Sequence, residues 1–155
     1  MLALICARER ATNFSLGRGG MQDVEKPLVV YASSYAHSSV DKAALMAGYG
    51  RDYVRHVPCD DAYAMRAEAL EAAIAEDLAA GRTPCAVVAT VGTTTSTALD
   101  PVAAIVEVAK RYGLFVHIDA AMGGSAMILP ECRWMWDGIE GADSAVVNVH
   151  KWLGV

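Results

Sequence analysis

A chain of 155 residues that is 54% hydrophobic and only 20% charged, with a mean hydropathy of +0.27, has the size of one domain and the apolar character of the interior of a larger fold. Its net charge of −5 comes without a basic stripe or a block of like charge, which argues against nucleic acid as a partner and against a charged tail. No apolar run is long enough to span a bilayer, and Met1-Leu2-Ala3-Leu4-Ile5-Cys6 is too short for a secretory signal and has no basic residue before it.

In chain order, Leu2, Leu4, Ile5 and Arg8 read as an uncapped helix that needs a partner face. Residues 13–26 carry three glycines and read as a loop. Leu28 to Ala32 reads as a strand. Ser39 to Gly48 reads as a helix, with Ser38 or Ser39 as cap and Gly48 as stop. Tyr53 to Val57 alternates like a second strand and is closed by Pro58. Met65 to Ala80 is rich in alanine and glutamate, places Leu70, Ile74 and Leu78 at helical spacing, and ends at Gly81. Cys85 to Val91 is an apolar run that predicts a strand buried on both faces. Asp100-Pro101 reads as cap and first residue of the next helix, and Gly113 as its stop. Leu114 to Ile118 and Ser144 to Val147 are the last strands; Trp134, Met135 and Trp136 between them read as packing at a domain or subunit contact. Strands alternating with helices predict right-handed βαβ units and a mainly parallel sheet flanked by helices. Ligands of such sheets collect beyond the carboxyl ends of the strands, where Thr93, Thr94, Asp119, Asn148 and Lys151 all fall.

The residues that can carry chemistry each have a plain alternative. Lys151 sits in the segment Asn148-Val149-His150-Lys151-Trp152, and a lysine taken alone is a solvated surface charge. Asp119 closes the strand Val116-His117-Ile118 and could cap the following turn, but a carboxylate at the end of an apolar run needs a cationic partner. His37 could be satisfied by local backbone at a helix start. Thr94, in a Gly-Thr-Thr-Thr turn, could bond its own backbone. His56 and His117 read as packed or edge residues, and His117 with Asp119 lacks a third ligand for a metal. Gly123-Gly124 is too short a pattern to mark a phosphate cradle. Cys6, Cys59, Cys85 and Cys132 show no C-x-x-C pair and read as thiols in a reducing cytoplasm. An amine and a carboxylate at the ends of separate strands are what pyridoxal phosphate chemistry needs.

Four segments occur in register: Tyr35-Ala36-His37-Ser38-Ser39, Val91-Gly92-Thr93-Thr94-Thr95, His117-Ile118-Asp119-Ala120-Ala121 and Asn148-Val149-His150-Lys151-Trp152. Together they resemble the pyridoxal phosphate-dependent group II decarboxylases, the family of aromatic-L-amino-acid decarboxylase. The resemblance implies the large domain of a type I (aspartate aminotransferase-like) fold, in part: residues 1–155 would be a fragment without the upstream phosphate-binding segment, the downstream mobile loop and the small C-terminal domain. It implies a homodimer, pyridoxal 5'-phosphate as cofactor and a small amino acid, an aromatic one, as substrate. Lys151 would form the Schiff base, Asp119 would hold the pyridine nitrogen protonated, and His37 would stack on the ring and contact the substrate. Thr94 would touch the cofactor, with Thr93 and Thr95 structural; Asn148 would serve the phosphate side and His150 would line the site. The resemblance departs at Val149, where proline is usual and an extended valine is expected, and at Met122, where many aromatic decarboxylases carry tyrosine. An aldehyde-forming oxidative decarboxylase, or one for acidic or diamino acids, is the alternative on the same scaffold. A non-catalytic dimerisation module is the alternative from another class. A nucleotide-binding domain lacks its Gly-x-Gly-x-x-Gly.

Overall fold

The computed structural model describes residues 1–155. Its centre is a five-stranded, all-parallel sheet in the order β2-β1-β3-β4-β5. The strands are β1 (Leu28–Ser33), β2 (Val54–Val57), β3 (Thr83–Thr90), β4 (Phe115–Asp119) and β5 (Ser144–Val146). Helices α1 (Leu2–Ala11), α2 (Ser39–Met46), α3 (Ala67–Ala79), α4 (Val102–Tyr112) and α5 (His150–Leu153) complete the fold, with short 3-10 turns between β4 and β5. The chain runs from β1 outward to β2, then back past β1 to β3. The loops that leave β1 and β3 therefore diverge, and a crevice opens between them at the carboxyl end of the sheet.

Alternation along the central strands splits the apolar residues between two faces. Val29 and Tyr31 of β1, Val87, Ala89 and Val91 at β3, and Val116 and Ile118 of β4 pack with Leu70, Ile74, Ile105 and Ala109 of α3 and α4. Val30 and Ala32, Ala86 and Val88, and Phe115 turn the other way, towards Leu4, Ala7, Val40 and Ala44 of α1 and α2. A single buried carboxylate ties the first face together: Asp77 accepts from Tyr31 Oη (2.8 Å), Arg55 Nη1 (3.1 Å) and Arg82 Nη1 (2.8 Å). On the second face Arg8 donates to the carbonyl of Ala47 at the end of α2 (2.7 Å), and Arg10 pairs with Asp143.

Several local expectations change. Asp100 does not cap α4; Pro101 holds the cap position without a side-chain bond. Its carboxylate is taken by Met65 N–H and Thr90 N–H, both at 2.7 Å, so a tertiary contact overrides the local motif. Met65 accordingly precedes α3 and bridges to Cys59. Neither Ser38 nor Ser39 caps α2 by its side chain; at this helix start Nδ1 of His37 takes the Ser39 N–H (3.2 Å). Leu78 is 48% exposed, so the buried stripe of α3 ends at Ile74 and Asp77. Trp136 is buried in this chain's own core, while Trp134 is exposed. The 13–26 loop contains two 3-10 turns, Ser15–Gly17 and Gly20–Asp23. Val149 is helical (φ −57°, ψ −31°), not extended.

Candidate active site

Register builds the floor of the crevice row by row. Across the sheet, Ala32 pairs with Val88, Val88 with His117 and His117 with Ser144; one step further on, Thr90 pairs with Asp119 and Asp119 with Val146. Paired residues of parallel strands share a face, so the α1/α2 face turns from apolar at Ala86 and Phe115 to polar at His117, Thr90 and Asp119. α1 covers the apolar end. Beyond it lies a cavity of about 920 Å³, whose lining includes His37, Thr90, Thr94, His117, Asp119 and Lys151. Asn148, Ser144 and Met122 line it as well.

The strand ends are stitched to one another. Val91 N–H donates to Asp119 O (2.9 Å), Ala120 N–H to Val146 O (3.1 Å) and Gly123 N–H to Val91 O (3.1 Å). Gly92 has φ +85°, and a Cβ there would sit 2.9 Å from Gly123 N; a Cβ on Gly123 would sit 2.6 Å from Val91 O. These glycines let the turns after β3 and β4 touch, which is a packing role and not a phosphate cradle. Thr93 is spent on that turn: its Oγ1 contacts Ser96 Oγ (2.7 Å) and accepts Ala98 N–H (3.0 Å). Thr94 is exposed at the cavity.

Each ionisable group is held differently. Asp119 Oδ1 accepts Ala121 N–H (3.1 Å), the turn role open to it from sequence, and the same residue lines the cavity. His37 Nδ1 accepts the Ser39 N–H (3.2 Å) and meets Ser39 Oγ (2.9 Å), which leaves Nε2 as the ring nitrogen without a partner in the chain. His117 Nδ1 meets Ser144 Oγ at 2.9 Å. Burial holds its imidazole below the ordinary value, and Asp119 pulls the other way; the net direction leaves the ring neutral at pH 7. Lys151, on the first turn of α5, joins none of the chain's ion pairs and is exposed to the cavity. Behind the floor, burial pushes the Asp100 carboxyl up to about 6, against the pull of its two backbone donors.

Five residues singled out from sequence thus meet around one cavity: His37, Thr94, Asp119, Asn148 and Lys151. His150 is not among its lining residues; it is exposed on α5. Sequence reading missed Thr90 and Ser144 and treated His117 as packing. The available signal was a polar residue one position before the end of an apolar run, Thr90 before Val91 and His117 before Ile118, but only the register shows that Thr90 lies beside Asp119.

The chain is 43% identical over 153 residues to a tyrosine decarboxylase of Papaver somniferum, covering 97% of this chain and 30% of that one. It is 42% identical over 155 residues to a phenylacetaldehyde synthase of Arabidopsis thaliana, covering 99% of this chain and 31% of that one. A crystal structure of Oryza sativa TDC with PLP superposes with a TM-score of 0.88 at 41% identity, over 97% of this chain and 32% of the other. The chain spans about a third of the length of these relatives, and its α/β fold is that of the type I enzymes among them. Residues 1–155 match the model of the pyridoxal-dependent decarboxylase conserved domain, and the chain belongs to that family.

Proposed function

We propose that this chain carries the cofactor-binding part of a pyridoxal phosphate-dependent decarboxylase that converts an aromatic L-amino acid to its amine. The observation that carries the reading is the convergence of an amine (Lys151), a carboxylate (Asp119) and an imidazole (His37), from three separate strand ends, on one cavity. The donor set fits the cofactor. Lys151 would hold its aldehyde covalently, Asp119 would pair with its ring nitrogen and His37 would lie against the ring. Thr94 and Asn148 would contact it, Asn148 on the phosphate side. When bound, pyridoxal phosphate supplies an electron-accepting ring for the bond to the departing carboxylate.

The protein's own part is electrostatic and positional. Asp119 keeps a proton on the ring nitrogen, where a positive charge is most effective. Neutral His117, next to it on β4, adds no competing cation. Leu4 of α1, itself buried, lines the apolar end of the cavity. The same reading carries a homodimer of the whole protein, expected as twice the protomer mass in sedimentation equilibrium.

The test is reduction of the full-length protein with borohydride in the presence of pyridoxal phosphate, followed by peptide mapping. Label at Lys151 is expected; label at Lys26, Lys42 or Lys110 instead overturns the assignment. Asp119→Asn is expected to lower turnover by about a hundredfold or more, the scale of losing one preorganised charge contact. The 42% identity to a phenylacetaldehyde synthase favours one second reading, oxidative decarboxylation of the same substrates with dioxygen. Product analysis separates the two: amine and carbon dioxide for the first, aldehyde, ammonia and hydrogen peroxide with the carbon dioxide for the second.

A further inference from the structure

Thr90 is 3% exposed and ends β3. Its hydroxyl is buried and has no hydrogen-bond partner within the chain, yet the residue lines the cavity. Its backbone is fixed on both sides, since Thr90 N–H donates to Asp100 Oδ2 (2.7 Å) and Thr90 O accepts Asp100 N–H (2.9 Å). A buried hydroxyl without an acceptor costs about 1–3 kcal/mol, so a partner on the cavity side is required. Thr90 is the register partner of Asp119, and adjacent strands lie about 4.8 Å apart. A threonine hydroxyl and an aspartate carboxylate at that spacing reach each other by side-chain rotation alone. Asp119 has one carboxylate oxygen occupied by Ala121 N–H and the other available.

We propose that Thr90 is a positioning residue whose hydroxyl donates to the free carboxylate oxygen of Asp119 and fixes the orientation in which Asp119 meets the bound ring. The inference rests on the cofactor reading above. Asp100 anchors the Thr90 backbone, and Thr90 sets Asp119. The hydroxyl supplies no proton to the reaction and touches no reacting atom.

The test uses the full-length apoprotein. Thr90→Val keeps the shape and removes the hydroxyl; Thr90→Ser keeps the hydroxyl. Pyridoxal phosphate affinity is read by fluorescence titration, the pH midpoint of the bound cofactor's visible absorption band by spectroscopy, and apoprotein stability by thermal melting. The expected result is about a tenfold weaker Kd for T90V, the scale of one hydrogen bond, with a shifted midpoint that does not follow apoprotein Tm, and recovery in T90S. In an Asp119→Asn background, T90V is expected to add no further loss. A T90V protein with wild-type affinity and midpoint overturns the inference, as does a loss in T90V and T90S alike that follows apoprotein Tm. Where valine prevents folding, Thr90→Ala carries the same comparison. If the wild-type protein itself shows no visible band and no label at Lys151, the cofactor reading fails first and takes this inference with it.

Discussion

Asp100 shows how one side chain can be misassigned from its neighbours and still govern the site. Its carboxylate joins the segment before α3 to the end of β3, and burial pushes its pKa up to about 6, from about 3.9 in an unfolded chain. Between those values the native state keeps a proton that the unfolded chain has released. The contribution is therefore fully present below about pH 4 and is lost as pH rises to about 6, on the order of 2 to 3 kcal/mol across the window. The urea midpoint of the wild-type protein is expected to carry this downward slope, and Asp100→Asn to remove its share of it. The amide can accept one N–H but sets its own N–H₂ against the second. Asp100→Asn is thus expected to cost about 1–2 kcal/mol at neutral pH, measured by denaturant titration at constant m-value.

The turns after β3 and β4 work as a pair, because Gly92 and Gly123 touch backbone to backbone. Gly92→Ala places a methyl group at a left-handed φ and 2.9 Å from Gly123 N. The expected result is a loss of about 1–3 kcal/mol and a weaker grip on cofactor, read by thermal melting and by titration of the same variant. At this scale the strands were legible in the sequence, because Val, Ile and Ala runs bounded by Gly and Pro have few other solutions. Helix α4 was legible from Asp100-Pro101 before it and from Gly113, which takes φ +68° at its end. What the sequence hid is tertiary. Asp-Pro looks the same whether the aspartate caps a helix or reaches a strand behind it. Trp136 looks like an interface residue until the 3-10 turn around it folds inward. Thr90 and His117 join Asp119 only through a register that no single strand encodes, whereas Lys151, Asp119 and His37 were visible because each stands in a long local motif.

For the whole molecule, cofactor and fold are linked by mass action. A ligand that binds only the native state stabilises by RT ln(1 + [L]/Kd), about 2.7 kcal/mol at a hundredfold excess over Kd. The melting temperature of the full-length protein is expected to climb with pyridoxal phosphate concentration, and Lys151→Ala to flatten that climb; differential scanning fluorimetry over a concentration series measures it. The two faces of the sheet do not contribute equally to such a melt. One is filled by α3 and α4, while the other surrenders its carboxyl end to a hollow of about 920 Å³. That asymmetry divides the protein for anyone who wishes to make it hardier. Larger apolar residues at Val88 or Ala121 would shrink the hollow and raise thermal resistance while evicting the guest. Substitutions beside Leu70, Ile74 or Ile105 meet no such conflict, and durability gained there leaves the other side of the sheet open for chemistry.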